Sequence, residues 1–151
     1  MEKAGTAVGV RCRDGVVLGM EKLMISKMLV PSSSRCIHIV DDHVGVVVTG
    51  IAADARALVG FARNIAERYR QNFGDGIPPA TLAQQLADVM YLYGSYGAYR
   101  PFGADVLIAG MDEEKGTHEL YQCELDGTVC RYFGTAAGKG ARSVKTEVQK
   151  L

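Results

Sequence analysis

VGVVVT (residues 44–49) decides the fold. Side chains alternate across an extended strand, so three consecutive valines place apolar groups on both of its faces. Such a strand belongs to a sheet that is covered on each side. VVL (residues 16–18) repeats the pattern, so something must pack above and below these strands. Working outward, residues 6–12 and 16–21 flank Asp14-Gly15, a two-residue hairpin signal, and residues 35–40 and 44–49 are joined through Asp41-Asp42-His43.

Downstream of the valines the period changes. Ala55, Leu58, Val59, Ala62, Ile65, Ala66, Tyr69 and Phe73 fall on one helical stripe, with Asp54 at its start and Gly74 just past its end as a C-cap. A second helix begins near Pro79 and carries Leu82, Leu86, Val89, Met90 and Tyr93 before Pro101 forbids continuation. Its end, Gly94-Ser95-Tyr96-Gly97, has weak helix propensity. Strands return over residues 106–111, 118–124 and 128–133, and Ala141, Val144, Val148 and Leu151 mark a last amphipathic helix. Strands, two helices, strands and a helix make a segregated α+β order with antiparallel pairing. Two sheets covered on their outer faces predict a four-layer α/β/β/α sandwich over a single domain, residues 1–151.

A chain of 151 residues buries roughly 70% of its unfolded surface, enough for one core. Seventeen basic and seventeen acidic residues cancel, which argues against a nucleic-acid-binding module needing a cationic field. No apolar run reaches the length of a membrane span, and Met1-Glu2-Lys3-Ala4 leads into no signal-peptide core, so the reading is a soluble, intracellular protein. Cys12, Cys36, Cys123 and Cys130 show no metal-ligand spacing and read as reduced thiols. If Asp126-Gly127 is a two-residue turn, Cys123 stands opposite Cys130, close enough for a cross-strand disulfide, although two adjacent thiols are the simpler reading.

Gly134-Thr135-Ala136-Ala137-Gly138-Lys139-Gly140 sits between a strand and a helix, the context of a phosphate loop. Its spacing is one residue short and the lysine is followed by glycine, so close strand-to-helix packing is preferred over nucleotide binding. His38, His43 and His118 are the only histidines and signal no metal site; no cofactor is implied. Cys36 and His38 share a strand face, yet no third group orients them as a nucleophile pair. Arg56, Arg63 and Arg70 recur every seven residues, either as a solvated face or as a protein contact surface.

Several stretches together resemble one family. Gly5-Thr6-Ala7-Val8-Gly9-Val10 and residues 13–22 are similar to the opening strands of proteasome subunits. Asp42-His43-Val44-Gly45 with Thr49-Gly50-Ile51-Ala52-Ala53-Asp54-Ala55-Arg56 resembles their next strand and first helix. Arg100-Pro101-Phe102-Gly103 and Lys145-Thr146-Glu147 resemble elements of the alpha subunits. The resemblance covers essentially the whole chain.

What this resemblance implies is the N-terminal-nucleophile hydrolase architecture. Catalytic beta relatives use an N-terminal threonine activated by its own amine. Aligned through Val8-Gly9, that threonine falls on Gly5, its acidic partner on Glu21 and its lysine on Cys36, so two of three groups are lost and no catalytic residue is expected. The rival is a stand-alone hydrolase with Thr6 freed by processing; Lys22 and His38 would then stand where an acid and a lysine belong. The expected partners are other alpha subunits in a seven-membered ring, beta subunits and the C-terminal tails of regulatory ATPases, in cytoplasm and nucleus. The expected tail pocket maps to Arg35, Cys36 and Gly50, with Cys36 at the position of a carboxylate-binding lysine and Arg35 on the opposite face of a straight strand. Arg56, Arg63, Arg100, Pro101, Phe102 and Gly103 are expected at subunit interfaces or as a structural motif. The resemblance also implies a gating tail and helix ahead of Met1, and a strand and helix beyond Leu151, that these residues lack.

Overall fold

Residues 5–150 are described in the computed structural model, apart from Ile25, Ser34 and the side chain of Pro31. The readings at Met1–Ala4 and Leu151 lie outside the described residues. β1 (Ala7–Arg11) pairs antiparallel with β2 (Val16–Met20), and β3 (Ile37–Asp41) with β4 (Val44–Gly50). Two helices follow, α1 (Ala52–Phe73) and α2 (Pro79–Ser95). Then come β5 (Ala104–Asp112), β6 (Thr117–Cys123), β7 (Val129–Arg131), β8 (Gly134–Ala137) and α3 (Ala141–Val148). The strands form two antiparallel sheets of order β2-β1-β8 and β3-β4-β5-β6-β7.

The valines divide as their alternation requires. Val44, Val46 and Val48 face α1 and α2, in a core with Leu58, Leu82, Leu86 and Met90. Val47 points the other way, packing with Ala7, Leu107 and Ala137 between the two sheets. Each fully buried Leu or Met contributes about 2 kcal/mol from burial alone. α3 covers the outer face of β8 and β1, completing the four layers. Small residues let the sheets approach: a Cβ on Gly9 would stand 2.8 Å from a Leu120 methyl carbon. Polar contacts also cross this layer, among them the buried Thr135 hydroxyl donating to Gln122 Oε1 at 2.5 Å.

Local departures have identifiable causes. α1 starts three residues before Ala55, with Ile51 as N-cap, because Asp54 in its first turn is anchored from outside the helix. Gly74 closes it as expected, its N–H donating to Arg70 O at 2.8 Å. α2 runs through Gly94 to Ser95 despite poor propensity, held by the buried Leu82, Leu86 and Met90. The first hairpin centres on Arg13-Asp14, since Cys12 N–H donates to Gly15 O and Arg11 pairs with Val16. The last hairpin has three loop residues, Leu125-Asp126-Gly127, with Gly127 at φ +84° and Glu124 N–H donating to Thr128 O. That extra residue moves Cys130 opposite Gln122 and Cys123 opposite Val129, so Cys123 is buried, Cys130 exposed, and both are free. The stretch read as a phosphate-loop candidate is β8 itself: residues 134–137 pair with β1, leaving only the turn at 138–140.

Candidate functional site

α1 begins where two backbones nearly touch. Gly50 has φ +139°, and a Cβ there would stand 2.2 Å from Gly103 O, so only glycine fits. Ile51 N–H donates to that same oxygen at 2.9 Å. Beside it, Arg100 donates through both guanidinium NH2 groups to the Asp54 carboxylate at 2.8 and 2.7 Å, while Gly103 N–H donates to Asp54 Oδ2 at 2.8 Å. Asp54 is 5% exposed. The Arg100 hydrogen bonds hold its pKa below the ordinary carboxylate value against burial, which acts to raise it, and the Gly103 N–H reinforces the lowering. The same carboxylate raises Arg100. Phe102 is buried against Phe61 and Tyr93, with centroid separations of 6.2 and 4.7 Å. Arg100, Phe102 and Gly103 thus fix the junction of β5 with α1, while Pro101 stays exposed.

On the other side of Gly50 lies an open depression of about 670 Å³. Arg35, Cys36 and Gly50, the residues expected at a tail pocket, all line it, as do Glu21, Lys22, Ser33, His38 and Arg56. Arg35 and Cys36 both contribute to the wall of this depression, just ahead of the start of β3 at Ile37, with Arg35 exposed and Cys36 partly buried. His38 is held below its ordinary pKa by burial first, then by the positive fields of Arg63 and Arg35. Its imidazole is therefore neutral near pH 7.

Gly5, the residue expected to match the beta threonine, is tightly packed. A Cβ on Gly5 would stand 2.0 Å from Glu21 O, and Gly5 O accepts from the buried Thr49 hydroxyl at 2.6 Å. Thr6 is built into the sheet layer. Its N–H donates to Glu21 Oε2 at 3.2 Å, its carbonyl accepts from Glu21 N–H at 2.8 Å, and its hydroxyl accepts from Gly140 N–H at 3.0 Å.

The arginine stripe serves two ends. Arg63 donates to Ile39 O at 3.2 and 3.1 Å, capping a carbonyl of the edge strand β3, and Arg70 pairs with Asp41. Arg56 turns back to Ala52 O at 3.4 Å and remains exposed beside the depression. His38 and His43 part company, for His43 sits in the β3–β4 turn and its Nε2 lies 2.7 Å from Ile77 O, tying that turn to the α1–α2 connection. Among the described residues no group of three or more His, Cys, Asp or Glu is placed to hold a metal, and no helix is long and apolar enough to cross a membrane. Sequence reasoning missed Asp54 as the partner of Arg100 and Ser33 as a wall of the depression. Forty-six residues separate the first pair, a distance no local period reports.

The proteasome subunit family matches residues 1–151. The chain belongs to that family. It is 46% identical over 151 residues to proteasome subunit alpha type-3 of Acanthamoeba castellanii, covering 100% of this chain and 59% of the relative. It is 42% identical over the same 151 residues to proteasome subunit alpha type-3 of Arabidopsis thaliana, covering 60% of that relative. Proteasome subunit alpha of Thermococcus sibiricus is 39% identical over 140 residues, covering 93% of this chain and 53% of the relative. The chain thus spans about six-tenths of the length of its eukaryotic relatives. The two antiparallel sheets between helical layers agree with the architecture of a proteasome subunit.

Proposed function

We propose that this chain acts as a non-catalytic alpha-type subunit of the proteasome core, supporting ring assembly, substrate gating and regulator docking in ubiquitin-dependent degradation, in cytoplasm and nucleus. One observation carries the non-catalytic reading. Gly5 stands where beta relatives are expected to carry threonine, and the 2.0 Å approach of Glu21 O to its would-be Cβ leaves no room for that side chain. Cys36, at the expected lysine position, supplies no ammonium to activate a hydroxyl. Freeing Thr6 as a nucleophile would require breaking its contacts with Glu21 and Gly140.

The depression beside Gly50 supports the docking part of this reading. Arg35 supplies a cation next to Cys36, and Arg56 lines the same depression, so a carboxylate at the end of a partner's tail finds complementary charge there. The test is native purification of the tagged protein with its assembly mass and intact chain mass. Co-purification with alpha and beta subunits in one proteasome-sized particle is expected. A small species that reacts at Thr6 would replace this reading with a stand-alone hydrolase.

A further inference from the structure

β3 stands at the end of the five-stranded sheet, with β4 on one side only. The direction of its backbone groups follows from the ladder. His43 O accepts from Met111 N–H at 3.2 Å, so alternation along β4 turns Gly45 and Val47 toward β5 and Val46 toward β3, where His38 stands opposite. Ile37 and Ile39, one residue to either side of His38, therefore direct their N–H and C=O groups away from the sheet. Their side chains share the face of Val47 and stay 46% and 73% exposed. An unpaired edge carrying two exposed isoleucines is a template for another strand. Among the described residues, one side chain meets these outward groups: Arg63, on α1, donates through Nε and an NH2 group to Ile39 O at 3.2 and 3.1 Å. Just past Ile39 the register shifts, and there Arg70 pairs with Asp41.

We propose that Arg63 guards this edge, keeping β3 from pairing with β3 of a second copy of the chain. The strand is complementary to itself. With a two-fold axis beside His38, Ile37 of each copy would stand opposite Ile39 of the other, and opposed residues whose backbone groups point at each other exchange both N–H···O=C bonds. Half of the bonds joining the strands would then need Ile39 O as acceptor. On each copy the Arg63 guanidinium already occupies the place of that incoming N–H, and its charge-assisted bonds are stronger than the neutral bond that would replace them. Without it, the backbone groups are free to pair and the isoleucines meet across the strands on one face, which adds apolar contact. As a safeguard for a subunit awaiting its ring, this rests on the function proposed above; the guarding of the edge does not.

The test is sedimentation velocity over a concentration series on the full chain, comparing the unmodified protein, Arg63→Ala, and Arg63→Ala combined with Ile39→Pro. Position 63 is exposed on a helix and alanine is the best helix former, so the first variant keeps the fold. It should dimerise at least about tenfold more tightly than the unmodified protein, a change of about 1.4 kcal/mol. Proline at position 39 deletes an outward N–H, which an edge strand tolerates, and should return association to the unmodified level. Equal association of the unmodified and Arg63→Ala proteins overturns the proposal, and so does tight association that survives Ile39→Pro, because it would use another surface. Amide exchange followed by NMR needs no second substitution. The Ile37 and Ile39 amides should exchange faster than His38 in the unmodified protein and slow about tenfold in Arg63→Ala where it dimerises, the same 1.4 kcal/mol. Exchange at Ile37 and Ile39 that is unchanged in the dimer overturns the proposal as well.

Discussion

Asp54 and Arg56 stand two residues apart at the start of α1, and their surroundings are opposite. Asp54 is buried and accepts three hydrogen bonds that lock β5 onto the helix. Arg56 is exposed beside a depression that Arg35 also lines. Gly50 belongs to both regions, its backbone against Gly103 on one side and the depression on the other. The contrast separates charge that is spent inside the molecule from charge that stays at the surface, where the proposed function gives it to a partner.

The largest effect should come from filling the shared glycine. Gly50→Val combines a positive φ with a backbone clash, and a loss of about 3 kcal/mol or more is expected in urea unfolding. A loss below about 1 kcal/mol would mean that the junction is loose. Asp54→Ala comes next. It leaves Gly103 N–H without its acceptor, for a cost of about 2 kcal/mol. The pH dependence has a defined sign, since the folded pKa is depressed by Arg100. The stability from Asp54 is fully present above the ordinary carboxylate pKa and is lost as pH falls through the lower folded value. Asp54→Asn should flatten that acid limb, and an unchanged limb would show that the clamp does not operate.

Burial separates the thiols in the same way. The Cys123 pKa is pushed up to about 12 by burial, so iodoacetamide at pH 8 should alkylate the exposed Cys12 and Cys130 and spare Cys123 in the folded protein. Early modification of Cys123, or a Cys123–Cys130 disulfide after mild oxidation, would contradict the observed register. The smallest effect on stability belongs to the surface charge. Arg56→Ala should change unfolding by no more than about 0.5 kcal/mol while weakening carboxylate-peptide binding. A large stability loss would place Arg56 with the charge spent inside the molecule instead.

The layers were legible because local period announces them. The VVV run reads as a strand covered on both faces, and the stripe from Leu58 to Ala66 reads as a helix over it. β8 was not legible: Gly134-Thr135-Ala136-Ala137 has none of the bulk that marks strands, and it is a strand because only small residues fit between α3 and the second sheet. The turn lengths were also hidden, since Asp-Gly suits both two- and three-residue hairpins and the choice depends on register across the whole sheet. At the depression, Arg35, Cys36 and Gly50 were named from the resemblance, and no local period announced that Ser33 and Glu21 line the same wall. The Asp54–Arg100 pair could be read in halves, as a helix-start acid and a motif arginine, with nothing local to join them.

The central claim is that this chain carries no nucleophile of its own. The most direct measurement treats the natively purified protein with a threonine-directed electrophile and records the intact mass of this chain, with beta subunits in the same preparation as the positive control. The account predicts an unmodified mass and an N-terminus that is not Thr6, while beta subunits are labelled. A one-to-one adduct on this chain, mapped to Thr6, would contradict it.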